Sequence, residues 1–120
     1  MSLLRPAGSN YTAVVDIAAA CSWYIEKLGL QKISVALDDG ENCIALGFSE
    51  EEPAFVLGPP SDAPRDELSA MLYTSKLKKA REVLISRGVN VGEIQQDRQG
   101  THYFEMRDPE GNVVEISEEP

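Results

Sequence analysis

Two stretches of this sequence share one frame. From Ile17 to Leu28, the residues Ile17, Ala20, Cys21, Tyr24 and Leu28 recur at three- and four-residue spacing, which places them on a single apolar stripe of a helix. Asp16 is positioned to cap the start of that helix and Gly29 to end it. A second segment of the same kind begins after Ser75, with Leu77, Ala80 and Leu84 as its stripe and Gly88 as its stop. Asp16 and Ser75, Gly29 and Gly88, and Leu30 and Val89 are each 59 positions apart, 88 minus 29 for the glycines. An internal repeat constrains the fold more than any local propensity, because both copies must take the same shape and bury each other's unfinished faces.

Each helix follows an extended stretch, Tyr11 to Val15 or Ala70 to Thr74, and precedes three more. In the first half these are Gln31 to Leu37, Cys43 to Phe48 and Ala54 to Leu57. In the second they are Val91 to Ile94, Tyr103 to Arg107 and Val113 to Ser117. Turn formers separate them: Asp38-Asp39-Gly40, Pro109-Glu110-Gly111-Asn112, and Gly58-Pro59-Pro60 through Pro64 between the halves. The order is β-α-β-β-β, written twice. The fold class expected is α+β, with two βαβββ modules forming curved mixed sheets around a cavity. Module one is expected at about 9–58, a linker at about 59–66 and module two at about 67–118, all within a single domain. One such unit leaves a sheet face bare, so the halves must cover each other or halves of a second chain, and a homodimer is expected.

A chain of 120 residues suits one core. Hydrophobic residues make up 42% and charged residues 26%, which leaves no reason to expect extensive disorder. The formal net charge of -9 repels phosphate backbones and anionic lipid, so neither nucleic acid nor a membrane is an expected partner. Much of that charge lies in Ser49 to Glu52 and in Glu115 to Glu119, where solubility accounts for it. No apolar run reaches the roughly 20 residues that cross a bilayer, and Met1 to Asn10 lacks the pattern of a signal peptide, so a cytoplasmic location is expected. Cys21 and Cys43 are too few for a disulfide scaffold and read as buried thiols in a reducing compartment. Trp23 reads as core or dimer interface.

The run Trp23-Tyr24-Ile25-Glu26-Lys27-Leu28-Gly29-Leu30 after Asp16, and the closing run Arg107-Asp108-Pro109-Glu110-Gly111-Asn112-Val113-Val114-Glu115-Ile116, give the chain its family likeness. With the repeat, it resembles the vicinal oxygen chelate superfamily over nearly its whole length. That superfamily holds glyoxalases, extradiol dioxygenases, fosfomycin-resistance transferases and bleomycin-resistance proteins. Alternation in the closing strand sends Val114 and Ile116 under the helices and Glu115 to the cavity. By resemblance, Glu115 stands where the enzymes of the family place their last metal-binding carboxylate. The other ligand positions fall near Ser9, near Ser69 and, as the repeat partner of Glu115, at Val56. None of these is a competent ligand for a divalent ion. Their neighbours Gly8, Asn10, Leu68, Ala70, Phe55 and Leu57 add no carboxylate or imidazole, and a shift of two brings in Glu67 alone. No metal or other cofactor is therefore expected, with an unusual centre of Glu115, Glu105 and His102 as the exception to weigh. His102, the lone histidine, shares parity with Phe104 and Met106 and should face away from the cavity.

The same parity puts Ser9, Tyr11, Ala13, Val56, Ser69, Met71, Tyr73, Tyr103, Glu105 and Glu115 toward the cavity. Such a lining either fills a core or grips a small organic molecule by stacking and a few hydrogen bonds. If the closing hairpin is symmetric about Glu110, Glu105 lies opposite Glu115. The pair then either receives a cation or sits at a wet rim near Arg107 or Arg98. Two functions follow. One is a metal-independent binding protein that sequesters an organic ligand, a cation among the candidates, as bleomycin-resistance proteins do. The other is a lyase, isomerase or dioxygenase that works through an atypical metal centre or through Glu115 as general base. A third role, through protein contacts alone, has no support in the residues.

Overall fold

Asp16 ends the first extended stretch and opens the first helix through one side chain. Its carboxylate accepts the Ala19 N–H at 3.0 Å, and Gly29 closes the helix in the left-handed region at φ 73° with its N–H on the Ile25 carbonyl. In the computed structural model, which describes residues 3–7, 10–33, 43–59 and 68–119, the elements follow in order. They are β1 (Arg5–Pro6), β2 (Asn10–Ala13), α1 (Ile17–Leu28), β3 (Gln31–Lys32), β4 (Ile44–Gly47) and β5 (Pro53–Gly58). Then come β6 (Leu68–Thr74), α2 (Leu77–Ser86), β7 (Asn90–Val91), β8 (Gln95–Gln96), β9 (His102–Arg107) and β10 (Val113–Glu118).

The strands form two mixed sheets of matching order, β2-β5-β4-β3 and β6-β10-β9-β7. In each, the strand before the helix pairs in parallel with the last strand, and the remaining pairs are antiparallel. This is the α+β repeat of βαβββ units that the sequence pattern predicts. The match is not a uniform shift. Tyr11, Val56 and Ala45 occupy one row of the first sheet, and Met71, Glu115 and Glu105 the matching row of the second. Their separations are 60, 59 and 60 positions respectively (71 minus 11, 115 minus 56, 105 minus 45). The register shift between Leu46 and Gly47 adds the residue by which the β4–β5 hairpin exceeds the β9–β10 hairpin.

Each helix covers one face of its own sheet. Ala20, Cys21, Tyr24 and Leu28 of α1 and Ala80 and Leu84 of α2 are buried, and one continuous apolar cluster joins them to Leu46, Phe55, Leu72, Phe104, Val114 and Ile116. Val114 and Ile116 lie under the helices as their alternation requires. Trp23 packs edge-on against Tyr24, with ring centroids 5.0 Å apart, and is partly buried at the core's margin.

Several local expectations need correction. The stretch Val91 to Ile94 is not one strand. The chain pairs at Asn90–Val91, passes through Gly92, whose N–H reaches the Glu105 carbonyl, and pairs again at Gln95–Gln96. α2 begins one residue later than the match of Ser75 to Asp16 implies. The first helical residue follows Lys76, no side chain caps the helix, and the Thr74 hydroxyl takes the Lys76 N–H at 3.1 Å. Cys21 is buried, but Cys43 is only half-buried. β1 was not foreseen: two residues ending in proline carry too little pattern, yet they add an antiparallel edge to β6. The turn Asp38-Asp39-Gly40, the far end of the stretch to Leu37, and the segment 60–67 lie outside the described residues.

The sheets adjoin at β2 and β6, where the Asn10 amide donates to the Ala54 carbonyl at 3.3 Å and to the Met71 carbonyl at 3.5 Å. The closing turn of module two fastens this seam. Buried Asp108 accepts the Tyr24 hydroxyl at 2.8 Å, the backbone N–H groups of Glu110 and Asn112 at 2.9 and 2.8 Å, and the Asn112 amide at 2.9 Å. Asn112 also donates to the Ala13 carbonyl at 3.1 Å, and the Glu110 carboxylate accepts the Val15 and Asp16 N–H groups at 2.7 and 3.1 Å. At the far ends, Lys27 Nζ donates to the Arg87 carbonyl at 2.6 Å while Arg87 donates to the Lys27 carbonyl at 2.7 Å, so each helix caps the other.

Two substitutions test this account by urea denaturation. Tyr24→Phe removes a buried donor from Asp108 and should cost about 1.5–3 kcal/mol, whereas a loss below about 0.5 kcal/mol would mean that the turn does not hold the seam. Thr12 is fully buried with a hydroxyl that has no partner among the described residues. Thr12→Val keeps its shape and should therefore stabilise the protein by roughly 1 kcal/mol, and destabilisation would show that the hydroxyl is hydrogen-bonded.

Candidate functional site

On the face of each sheet away from its helix, the side chains alternate out of the core. In β6, β9 and β10 the pattern is regular: Met71, Tyr73, Tyr103, Glu105 and Glu115 are half-buried, between Leu72, Phe104, Met106, Val114 and Ile116, which are fully buried. Register aligns them in two rows. Met71, Glu115 and Glu105 lie side by side across β6, β10 and β9, and Tyr73, Ser117 and Tyr103 form the next row. The carboxylates of β9 and β10 are thus direct cross-strand neighbours, as symmetry about Glu110 implies.

The matching row of the first sheet is Tyr11, Val56 and Ala45, with no charge. Tyr11 is 50% exposed and its hydroxyl donates to the Pro59 carbonyl at 2.7 Å. Its ring has room because residue 58 is glycine: a Cβ there would lie 2.3 Å from the Tyr11 hydroxyl oxygen and 2.9 Å from Cys43 Sγ. Ala13 is half-buried beside Gly58. Ser69 lies on β6, and Ser9 is outside the described residues.

Electrostatics single out Glu115. Partial burial, then the neighbouring charges of Glu105 and Asp97, hold its carboxyl above the ordinary carboxylate range. Asp97, whose charge strand parity misses because it belongs to a turn, acts on Glu115 and on Glu118 alike. Its side chain accepts the Gln99 and Thr101 N–H groups, both at 2.9 Å, and the turn closes with Gly100 N–H on the Asp97 carbonyl at 3.1 Å. The Asp97-Arg98-Gln99-Gly100 run is a legible turn signal, but only the fold carries it beside Glu115. Ser117, between the two tyrosines, is the other residue not foreseen. The idea that Arg107 softens the Glu pair meets a competing contact, because Arg107 donates to the Gly111 carbonyl at 3.3 Å.

The donor set does not suit a divalent ion. Glu115 has the chemistry of a ligand, Val56 has none, and a serine at position 69 or 9 is a poor one. The structure does not bring Glu115, Glu105 and His102 to one place. His102 lies on the helix-side face of β9, one residue out of phase with Glu105, and its Nδ1 is 2.9 Å from the Glu118 carboxylate, which also accepts the His102 N–H at 2.6 Å. Among the described residues, no three His, Cys, Asp or Glu side chains converge as a metal site.

Folding raises the Glu115 pKa, so its contribution to stability is present below its ordinary value of 4.5 and is lost as pH rises through the raised one. Glu115→Gln should flatten that decline in a denaturation series from about pH 4.5 to neutrality. An unchanged slope would mean that the carboxyl is not strained.

No curated protein matches the chain. Among solved structures, a superfamily member from Sphaerobacter thermophilus aligns with TM-score 0.74 at 23% identity, over 92% of this chain and 94% of the other. A lactoylglutathione lyase from Agrobacterium tumefaciens aligns with TM-score 0.67 at 18% identity, over 94% of each chain. TnmS3, an antibiotic binding protein from a Streptomyces species, aligns with TM-score 0.74 at 19% identity, over 93% of each. At these identities the structures establish a shared fold. The profile of one family matches residues 10–116, which spans both helices, both sheets and the closing turn, and the chain belongs to that family, the Glyoxalase/Bleomycin resistance protein/Dioxygenase superfamily.

Proposed function

We propose that this protein binds and sequesters a small organic cation with an aromatic or apolar body, without a metal, on the open face of its second sheet. The observation that carries the reading is the Glu105 and Glu115 pair, set opposite each other with Asp97 near and flanked by Met71, Tyr73 and Tyr103. Like charges forced together are relieved by a cation. The tyrosines and the methionine supply surface for stacking and cation–π contact. Tyr11 and Val56 extend the surface with uncharged side chains, and Ser69 belongs to the same strand as Met71. The fold shared with an antibiotic binding protein is consistent with capture of an organic molecule. Exposed Val15, at 82%, and Tyr11 are apolar surface on which a second copy can pair. We place this homodimer in the cytoplasm, with a small molecule rather than nucleic acid or membrane as its partner.

The second reading is an enzyme of the lyase, isomerase or dioxygenase kind with Glu115 as general base. Its specific support is the raised pKa of Glu115, since a carboxyl so tuned takes a proton more readily at working pH. The shared fold with a lactoylglutathione lyase is compatible with it.

Calorimetric titration with 2-phenylethylammonium and benzyltrimethylammonium tests the first reading. Both should bind one per chain, benzoate should not, and Glu105→Gln or Glu115→Gln should each weaken binding roughly three- to tenfold. Affinity should rise with pH as Glu115 loses its proton and fall below that range. Binding that ignores both substitutions and pH would sink the proposal. Turnover of a thiohemiacetal or catechol substrate, abolished by Glu115→Gln, would establish the enzyme instead.

A further inference from the structure

On the other side of the second sheet, the charge reverses. A cavity of about 570 Å³ lies where the first turn of α2 meets β8, β9 and β10, lined by Lys76, Leu77, Lys78, Lys79, Ile94, His102 and Glu118. Its size falls in the range that holds a small organic ligand. In a chain with 11 Lys plus Arg against 20 Asp plus Glu, three ammonium groups around one cavity are a local exception. The single lining carboxylate, Glu118, is already engaged by the backbone and ring of His102 at 2.6 and 2.9 Å.

Helix stability does not account for these lysines. They stand at the positive end of the helix dipole, where acidic residues are favoured, and the first turn of α2 has none. They are exposed rather than packed, and none of the ion pairs among the described residues uses them. Leu77 and Ile94, both packed against the core, give the cavity its apolar lining.

We infer that this cavity is a second binding site, for a phosphate monoester with a small apolar body. Lysines act as point charges, and with no arginine fork in the lining they match a tetrahedral dianion better than a planar carboxylate. The apolar lining takes the organic part. The site is separate from the acidic face, because His102 and Glu105 lie on opposite faces of β9.

The test is a titration of the full chain with phenyl phosphate, inorganic phosphate and benzoate at constant ionic strength, read by calorimetry and by amide NMR shifts. Phenyl phosphate should saturate at one per chain, shift the amides of residues 76–79, 94 and 102, and bind at least about tenfold more tightly than either other anion. The double variant Lys78→Gln/Lys79→Gln should lose about tenfold or more, and Lys78→Arg/Lys79→Arg should restore most of it. In the unsubstituted protein, affinity should fall as sodium chloride rises, which keeps the test valid should the double variant fold poorly. The inference is overturned by shifts that stay linear to about 20 mM, by equal affinity for benzoate, by shifts confined to Met71, Glu105 and Glu115, or by a folded Gln variant that binds unchanged.

Discussion

Asp108 accepts four hydrogen bonds from three residues, and the arrangement of the two modules depends on it. The donors are a tyrosine hydroxyl on the first module's helix, two backbone N–H groups of its own turn, and the amide of Asn112, which itself reaches back to β2. A buried carboxylate is costly to desolvate, and so many donors are what make it tolerable. Burial and the adjacent Asp108 charge push the Tyr24 hydroxyl far above its ordinary pKa, which favours the protonated form that donates to Asp108. Glu110, two residues on, receives the N–H groups that precede α1. One five-residue turn thereby sets the start of a helix, the end of a strand and the junction between modules.

That junction decides what the open faces can do. The two sheets have the same order and nearly the same register, so any difference between them is chemical. The row that reads Tyr11, Val56, Ala45 in the first sheet reads Met71, Glu115, Glu105 in the second. The geometry of the row is common to both halves, and its charge is confined to the second. In the metal-binding members that the chain resembles, ligands are drawn from both halves. Here the first half places the aliphatic Val56 in the row position that Glu115 holds in the second, and Glu115 lies directly across from Glu105.

The second sheet presents opposite signs on its two sides. Strand alternation sends Glu105 to one face and His102 to the other, and β10 does the same with Glu115 and Glu118. The backbone N–H and then the ring of His102 hold the Glu118 carboxylate below the ordinary range. Partial burial and then the Glu105 charge raise that of Glu115. The same residue type on the same strand thus shifts in opposite directions, one through hydrogen bonds it accepts and the other through burial beside a like charge.

The periodicity of apolar residues, the 59-residue frame and the turn formers determined the helices, the strand order and the pairing of Glu105 with Glu115, because each follows from local geometry repeated along the chain. Asp16 and Gly29 announced the ends of α1 for the same reason. Contacts between distant residues were not legible: Asp97 beside Glu115, Tyr24 on Asp108, Glu110 on Val15, and the cavity at α2. No local pattern encodes which turn will lie against which strand. β1 and the break at Gly92 were also decided by the tertiary structure, since a two-residue strand is held by its partner rather than by its own preference. The sequence determined the two faces of each sheet, and the packing of one module on the other decided which charges those faces bring together.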